Sequence, residues 1–215
     1  MAKPSPPSRR TAVRRLPERG HYDRETVHAI LDAGIVAHVG FVHEGQPYVL
    51  PMGYARQGER LILHGSVASR ILGQVGGGFP VCVTVTHLDG IVLARSVFNH
   101  SMNYRSVVVL GTATPIRDEV EKLAALHALT DHLAPGRWEE ARQPTAQEMA
   151  ATAVLSLPLD EASAKIRAGG PGDHDKDLEL PVWAGVLPLA LVRGELVPAD
   201  GLAPGLPLPR IGRRD

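Results

Sequence analysis

Short β-rich runs divided by closely spaced turn residues constrain the fold of this chain more than any other feature of its sequence. Several of these runs are connected by two-residue turns ending in Gly, which are typical of hairpins between antiparallel strands. The predicted turns are Glu44-Gly45, Gln57-Gly58 and Asp89-Gly90. The predicted strands cover residues 35–42, 47–55, 60–64, 81–88, 91–98, 105–116, 153–157 and 182–189. Short strands with turns this frequent predict a small β-barrel.

Helical spacing occurs at three places between these strands. Asp23 is predicted to cap a short helix through residue 33, which Gly34 ends. A brief helix is predicted over 66–75, and a longer amphipathic helix over 119–133, where leucines recur at helical spacing. The sequence therefore predicts a mainly β (α+β) fold, an antiparallel barrel with peripheral helices.

Both ends of the chain have compositions that bury little apolar surface. Residues 1–20 are rich in Pro and Arg and are predicted to be a disordered arm, because they cannot offset the entropy lost on ordering. Residues 198–215 are rich in Pro and Gly and are predicted to be an irregular tail. One folded domain is therefore expected over residues 21–197.

Composition and charge exclude several classes of function. Among 215 residues, 23 Lys and Arg balance 23 Asp and Glu, so the net charge gives no reason to expect nucleic acid or an anionic membrane as a partner. No stretch has the length and hydrophobicity of a membrane span or a secretion signal. The single cysteine, Cys82, has no intramolecular disulfide partner. We therefore expect a cytoplasmic protein.

A polar junction follows the third predicted strand. His64 ends this strand, Gly65 follows it, and Ser66, Ser69 and Arg70 lie at the start of the helix predicted after it. Free backbone N–H groups, hydroxyls and a guanidinium at the start of a helix are groups that bind phosphate. The alternative is structural, with Ser66 as a helix cap and Arg70 as a solvated side chain.

A second polar cluster lies between two apolar runs and is predicted to be a hairpin loop. Its imidazole, amides, hydroxyls, phenol and guanidinium provide more hydrogen-bonding groups than a turn requires. They belong to Asn99, His100, Ser101, Asn103, Tyr104, Arg105 and Ser106. The cluster either holds a polar ligand or satisfies its own backbone. His100 is a candidate for acid–base chemistry.

Three further features each have two interpretations. Thr84 and Thr86 share one face of a strand whose other face carries valines, so they either line a ligand groove or lie on a half-exposed surface. Trp183 either belongs to the core or stacks on a planar ligand. The Gly-rich segment 169–177 is either a lid over a site or a surface loop.

Histidine spacing gives no reason to expect a metal site. His127 and His132 are five residues apart on the predicted helix 119–133 and so do not share one of its faces well. The carboxylates at 174–177 have no partner at a confirming spacing. We therefore expect no metal ligands.

Four motifs in sequential order resemble the pyridoxamine 5′-phosphate oxidase-like flavin-nucleotide-binding proteins. They lie at residues 47–54, 64–70, 100–107 and 182–188, with the sequences PYVLPMGY, HGSVASR, HSMNYRSV and VWAGVLP. The resemblance extends from residue 22 to residue 189, and the order of the four motifs is more specific than any one of them. The branch that the chain resembles most includes nitroimidazole-resistance proteins.

This resemblance implies an FMN-binding split barrel that forms a homodimer, with the flavin between the two subunits. The residues it implies at the phosphate are His64, Gly65, Ser66, Ser69 and Arg70. Those it implies along the isoalloxazine edge are Thr84, Val85 and Thr86. Those it implies near the phosphate, ribityl chain or ring are Ser101, Asn103, Tyr104, Arg105 and Ser106. Trp183 would come from the partner subunit.

The resemblance also implies an oxidoreductase that acts on a small organic substrate, with His100 and then Tyr104 as candidates for proton transfer. Pyridoxamine 5′-phosphate is not the expected substrate, because Ile71 stands where a second phosphate-binding cation follows Arg70 in the vitamin oxidases. The alternatives are a non-catalytic flavin or haem carrier or sensor, a deazaflavin-dependent reductase, and a barrel without a ligand. In a haem protein, His64 or His100 would be the axial ligand.

Overall fold

Antiparallel strands dominate the structure, a computed structural model that describes residues 4–67 and 77–211. The strands are β1 (Gly20–His21), β2 (Val36–His43), β3 (Gln46–Gln57), β4 (Arg60–Ser66), β5 (Phe79–Leu93), β6 (Ser101–Pro115), β7 (Thr152–Pro158), β8 (Ala162–Arg167) and β9 (Gly185–Pro188). The helices are α1 (Arg24–Ala33), α2 (Glu119–Leu133), α3 (Arg137–Glu140) and α4 (Ala146–Ala151). In the described ranges, no helix has the length and hydrophobicity needed to cross a membrane.

Six strands close into an antiparallel barrel. They follow one another in the order β6-β7-β4-β3-β2-β5, and β5 pairs with β6 to complete the ring. On one side β8 and then β1 extend the sheet beyond β6, and on the other β9 pairs with β5. The prediction of a mainly β fold with peripheral helices is confirmed.

Two apolar clusters stabilise this arrangement. The barrel interior is filled by alternate residues of the strands, among them Val39, Val83 and Val107, all of which are fully buried. The second cluster lies outside the barrel, where α2 packs on β3, β4 and β7. It contains Ala55, Ile62, Ile116, Ala125, Leu129 and Val154. One side of the barrel is therefore covered by a helix.

The two longer predicted helices are confirmed. Asp23 caps α1 by accepting a hydrogen bond of 2.8 Å from the backbone N–H of Thr26, and Gly34 follows the last helical residue. Helix α2 has the predicted bounds, and Asp118 caps it by accepting from the N–H of Glu121 at 2.8 Å. Both caps satisfy N–H groups that have no partner within the helix.

The predicted hairpin turn at Asp89-Gly90 is wrong. Strand β5 continues through this point, because the residues on both sides of Asp89 pair with the same strand, β6, and the register shifts by one residue between Leu88 and Gly90. Asp89 is therefore the extra residue of a β-bulge. Gly90 does not form a turn but allows β9 to pack closely, since a Cβ at this position would lie 3.0 Å from the carbonyl oxygen of Leu187 in β9.

Other differences from the predicted elements concern short segments. The polar cluster predicted as a hairpin loop lies largely within β6, and only residues 94–100 separate β5 from β6. Strands β1 and β8 were not predicted, and β9 is shorter than the predicted strand 182–189. Ser66 ends β4, and residues 68–75 of the predicted helix 66–75 lie outside the described residues.

The described part of the N-terminal arm contacts the barrel near β8. Arg10 forms an ion pair with Glu161, and the Lys165 ammonium donates to the carbonyl oxygen of Arg15 at 3.0 Å. At the other end, residues 189–211 contain no helix or strand, and Arg210 N–H donates to Glu140 at 2.9 Å. The division into arm, domain and tail stays a prediction.

Candidate functional site

The strand predicted to lie along a flavin ring is paired with the polar segment of β6. Thr86 pairs with Ser106 and Thr84 pairs with Val108 across the β5–β6 ladder. Because side chains alternate along a strand, Thr84, Thr86 and Ser106 project from the outer face of the barrel, whereas Val85 is buried inside it. The structure therefore brings these predicted residues together on one surface.

Strand β8 adds two cations to this surface. Lys165 pairs with Ser106, and Arg167 pairs with Tyr104. Neither cation was predicted from the sequence, because Ala and Lys are depleted in strands. Lys165 and Arg167 alternate with Ala164 and Ile166, as polar and apolar residues do in a half-buried strand. This short alternation is the sequence pattern that could have indicated β8.

Arg105, a predicted phosphate ligand, is bound to the bulge residue Asp89. Its guanidinium donates two hydrogen bonds to the Asp89 carboxylate, at 2.8 and 2.9 Å. The hydrogen bond from Arg105 holds the pKa of Asp89 below its ordinary value, and the Asp89 carboxylate raises the pKa of Arg105. Both groups are therefore charged at neutral pH, and Arg105 would have to share its charge with any phosphate.

Asn103 is buried and holds the start of the Gly-rich segment 169–177. Its amide nitrogen donates to the carbonyl oxygen of Gly169 at 3.1 Å, and its amide oxygen accepts from Arg167. The side chain of Arg167 also donates to the carbonyl oxygen of Gly170 at 3.1 Å. These contacts give Asn103 a structural role that the sequence did not indicate.

Asp173 anchors the same segment more strongly. Its carboxylate is 2% exposed and accepts hydrogen bonds from the backbone N–H and the guanidinium of Arg95, both at 2.9 Å. Burial raises the pKa of Asp173, but hydrogen bonds from Arg95 and Ser96 outweigh this effect and hold the pKa below its ordinary value. The segment 169–177 is thus attached to the connection between β5 and β6.

The remaining candidates of this region lie where β5, β6 and β9 end. Nδ1 of His100 lies 3.0 Å from the carbonyl oxygen of Ser96, so that nitrogen carries the donated proton. Ser101 pairs with Val92 in the ladder. Beside them are exposed apolar side chains, Val97, Phe98 and Trp183, of which Phe98 is 89% exposed. This end of the barrel therefore presents both polar and aromatic groups.

The segment predicted to bind phosphate begins at the end of β4. His64 pairs with Val154 of β7 and shares a face with Ile62, the face on which α2 packs. Nδ1 of His64 is buried and has no hydrogen-bond partner in the described part of the chain, and burial lowers the pKa of this imidazole. Gly65 and Ser66 follow in β4, and Ser69 and Arg70 lie outside the described residues.

Closure of the barrel separates this segment from Thr86 by half of the ring. The β4–β3, β3–β2 and β2–β5 registers, continued by one or two residues, align four residues of the outer face in a row. The row runs through His64, Gly53, Val36 and Thr86. Along the sheet, its ends are three strand spacings apart, about 14 Å at the usual spacing of about 4.8 Å. Three of six strands is half of the ring, so the outer faces of β4 and β5 are directed to opposite sides of the barrel.

A closed antiparallel barrel with this polar outer surface is the framework of a known family. The family model described as pyridoxamine 5′-phosphate oxidase matches residues 23–166, from the cap of α1 into β8. The match covers more than half of the chain. This protein belongs to the pyridoxamine 5′-phosphate oxidase-like family, as the motif resemblance predicted.

Three solved structures show how far the likeness extends. The flavocytochrome Anf3 from Azotobacter vinelandii is 43% identical, with a TM-score of 0.91 over 96% of each chain. The FAD and haem binding protein from Mycobacterium smegmatis is 40% identical, with a TM-score of 0.85 over 89% of this chain and 94% of that one. A candidate 5-nitroimidazole antibiotic resistance protein from Bacteroides thetaiotaomicron is 23% identical, with a TM-score of 0.57 over 68% of this chain and 86% of that one, and shares the fold.

These likenesses confirm the predicted family and the split-barrel fold class. A comparison with curated proteins finds no match. The family is one of flavin-binding proteins, whereas the choice of flavin and the individual ligand residues stay predictions.

Proposed function

We propose that this protein binds a flavin and a haem and transfers electrons between them. The observation that supports this function most is its likeness, at 43% and 40% identity over nearly the whole chain, to a flavocytochrome and to an FAD and haem binding protein. A bound flavin accepts an electron pair from a donor, and a haem iron accepts electrons singly. The residues of this chain would bind both groups and orient them.

The outer face of β5, β6 and β8 is the proposed flavin surface. Thr86 and Ser106 supply hydroxyls there, and Lys165 supplies a cation next to Ser106 in the ladder. Across the barrel, the segment from Ser66 to Arg70 carries the groups expected to hold phosphate. We propose FAD as the flavin, by likeness to the M. smegmatis protein, and FMN is the alternative implied by the motif resemblance.

His64 fits the requirements of an iron ligand. Its buried Nδ1 has no hydrogen-bond partner among the described residues, and burial lowers the pKa of the ring. The imidazole is therefore neutral at neutral pH, which is the form that coordinates iron. His100 is exposed and its Nδ1 is engaged by Ser96, so we assign His100, with Tyr104, to proton transfer near the flavin.

A second copy of the chain is proposed to complete the site. Val36, Val42 and Val49 project from the outer face of β2 and β3 and are largely exposed, and Leu88 adds to this outer apolar strip from β5. An apolar sheet face of this kind is typical of a protein interface. Its position beside Thr84 and Thr86 favours a flavin bound between two subunits, where Trp183 of the second copy would cover the ring.

Reconstitution of the purified apoprotein with haemin tests the assignment of His64. His64→Ala should lose the Soret band of the bound haem while FAD still binds, because the substitution removes one iron ligand and leaves the β5–β6 surface unchanged. His174→Ala, an exposed histidine at the end of the 169–177 segment, is the matched control and should retain both cofactors. Haem bound equally well by His64→Ala would contradict the assignment.

Turnover distinguishes an oxidoreductase from a carrier or sensor. With a reduced nicotinamide as donor, an oxidoreductase should reduce a small organic acceptor or oxygen repeatedly, whereas a carrier would stop after its bound cofactors are reduced. His100→Gln should slow turnover without releasing flavin, since it removes a proton donor outside the phosphate segment. A single stoichiometric reduction under all acceptors tested would support the carrier.

A further inference from the structure

We propose that His127, Asp131 and Glu139 bind a divalent transition-metal ion of the Zn²⁺ type. His127 and Asp131 are one turn apart on α2, and Glu139 belongs to α3. The site is on the helical side of the molecule and uses none of the residues assigned to the flavin or the haem. It therefore does not depend on the proposed redox function.

The separations among the three side chains are compatible with a metal site and too long for direct hydrogen bonds. Nε2 of His127 lies 3.5 Å from Oε1 of Glu139 and 3.9 Å from Oδ2 of Asp131. These distances exceed the roughly 2.7–3.2 Å of an N–H···O hydrogen bond. Ligand atoms around a tetrahedral ion with bonds of about 2.0–2.1 Å are about 3.3 Å apart. All three ligand atoms lie within 4.8 Å of one another, so small adjustments would bring them to bonding distance.

Neighbouring groups hold two of the ligands in place before an ion arrives. The His127 ring is stacked on Trp138, with 4.9 Å between ring centroids and 18° between planes, which restricts rotation of the imidazole. Asp131 accepts a hydrogen bond of 3.1 Å from the N–H of Gly136 through Oδ1, and this leaves Oδ2 directed at His127. Fixing ligands in advance reduces the entropy lost on binding.

The surrounding charges favour a cation. Two carboxylates face one imidazole. The neighbouring guanidinium of Arg137 forms an ion pair with Glu140 at 3.1 Å, so its positive charge is partly neutralised there. One nitrogen and two carboxylate oxygens suit Zn²⁺ and similar ions, with water in the remaining position. Because the three ligands come from two helices, a bound ion would tie α3 to the end of α2.

Calorimetric titration of the holoprotein with Zn²⁺ tests the proposal. We expect one ion per chain and a rise in thermal midpoint that EDTA reverses, because an ion that binds only the folded state stabilises it. His127→Phe keeps an aromatic ring against Trp138 but has no ligand nitrogen, and Glu139→Gln removes one charge. Each should weaken Zn²⁺ binding by about tenfold or more.

Two controls separate this site from adventitious binding by other surface groups. Glu119→Gln removes an exposed carboxylate from the other end of α2, and His174→Gln removes an exposed histidine elsewhere. Both should bind Zn²⁺ as the unmodified protein does. Zn²⁺ binding that His127→Phe and Glu139→Gln leave unchanged, or no binding by the unmodified protein at millimolar Zn²⁺, would overturn the proposal.

Discussion

Three ring side chains from different elements satisfy carbonyl groups at the end of α1. Carbonyls in the last turn of a helix lack the usual N–H donor four residues further on, and each of these three accepts a hydrogen bond from a tyrosine or histidine on β3, β5 or α2. The pairs are Tyr54 with Leu31, His87 with Ile30 at 2.9 Å, and His132 with Gly34 at 2.6 Å. The carbonyl of Leu31 also accepts from the N–H of Gly34 at 3.3 Å. The end of α1 is thereby fixed against the barrel.

Removing one of these donors should destabilise the fold. Tyr54→Phe leaves the carbonyl oxygen of Leu31 with only the N–H of Gly34, at 3.3 Å, and we expect the free energy of unfolding to fall by about 0.5–1.5 kcal/mol. Urea unfolding measures this change. Tyr104→Phe, which removes a hydroxyl from the outer face of β6, is the control and should change stability by less than about 0.5 kcal/mol. Equal effects of the two substitutions would contradict the role of Tyr54.

The contribution of Asp173 to stability should depend on pH. Its pKa is lower in the folded state than in the unfolded chain, so its stabilising effect is present above the unfolded pKa and is lost as pH falls through the folded pKa. Asp173→Asn should therefore destabilise the protein at neutral pH, and this difference should shrink in acid. Unfolding free energies at neutral and acidic pH test the prediction. A difference that stays constant with pH would show that the carboxylate charge is unimportant.

Single residues could be predicted from the sequence where their partners are local. Asp23 was identifiable as a cap because Thr26 is three residues away. The structural role of Asp173 could not be predicted, because its partner Arg95 is 78 residues away and no local pattern indicates the pair. The candidate residues of β5 and β6 were found by motif, but their intramolecular partners were not.

Helix α2 stabilises the fold by covering one side of the barrel. Leu129 is 3% exposed and packs in the cluster between α2 and the sheet, whereas Leu123 on the same helix is 39% exposed. Leu129→Ala should therefore lower the free energy of unfolding by about 2–5 kcal/mol. Leu123→Ala should change it much less. Similar losses in a thermal or urea unfolding experiment would show that α2 does not pack through Leu129.

Element boundaries could be predicted where periodicity and capping agree, as in α2. Strands β5 and β8 differ from the prediction for different physical reasons. In β5, an Asp-Gly pair typical of a hairpin turn is a bulge, because pairing with β6 on both sides of Asp89 outweighs the local turn preference. In β8, small and charged residues of low strand propensity form a strand because β6 offers an unpaired edge.

At the scale of the whole molecule, the outer apolar strip is the proposed interface with a second copy. Val49 is 64% exposed in this strip, and Val120, 78% exposed, lies on α2 away from it. Val49→Glu should convert a dimer of two 23.0 kDa chains to a monomer, because it places a charge in an apolar interface, whereas Val120→Glu should leave the dimer intact. Light scattering after size exclusion measures both masses. A monomeric unmodified protein that binds flavin fully would contradict the interface.

Closure of the barrel could not be predicted in detail from the sequence, because it depends on registers between strands distant in the chain. Local turns predicted most of the strands but not their pairing, and the family followed from four motifs. Only the registers through β2, β3 and β4 show that the His64 end of β4 and Thr86 lie in one row, three strands apart around the barrel. The relative placement of the two segments is thus a property of the closed barrel.

The absorption spectrum of the protein as purified, followed by mass analysis of the cofactors released on denaturation, tests whether this protein carries both a flavin and a haem. We expect a flavin band together with a Soret band, and released species with the masses of FAD and haem. Release of a flavin with the mass of FMN would change the proposed flavin to FMN and leave the proposed haem unaffected. A protein that carries neither chromophore and takes up neither flavin nor haemin would overturn the proposed function.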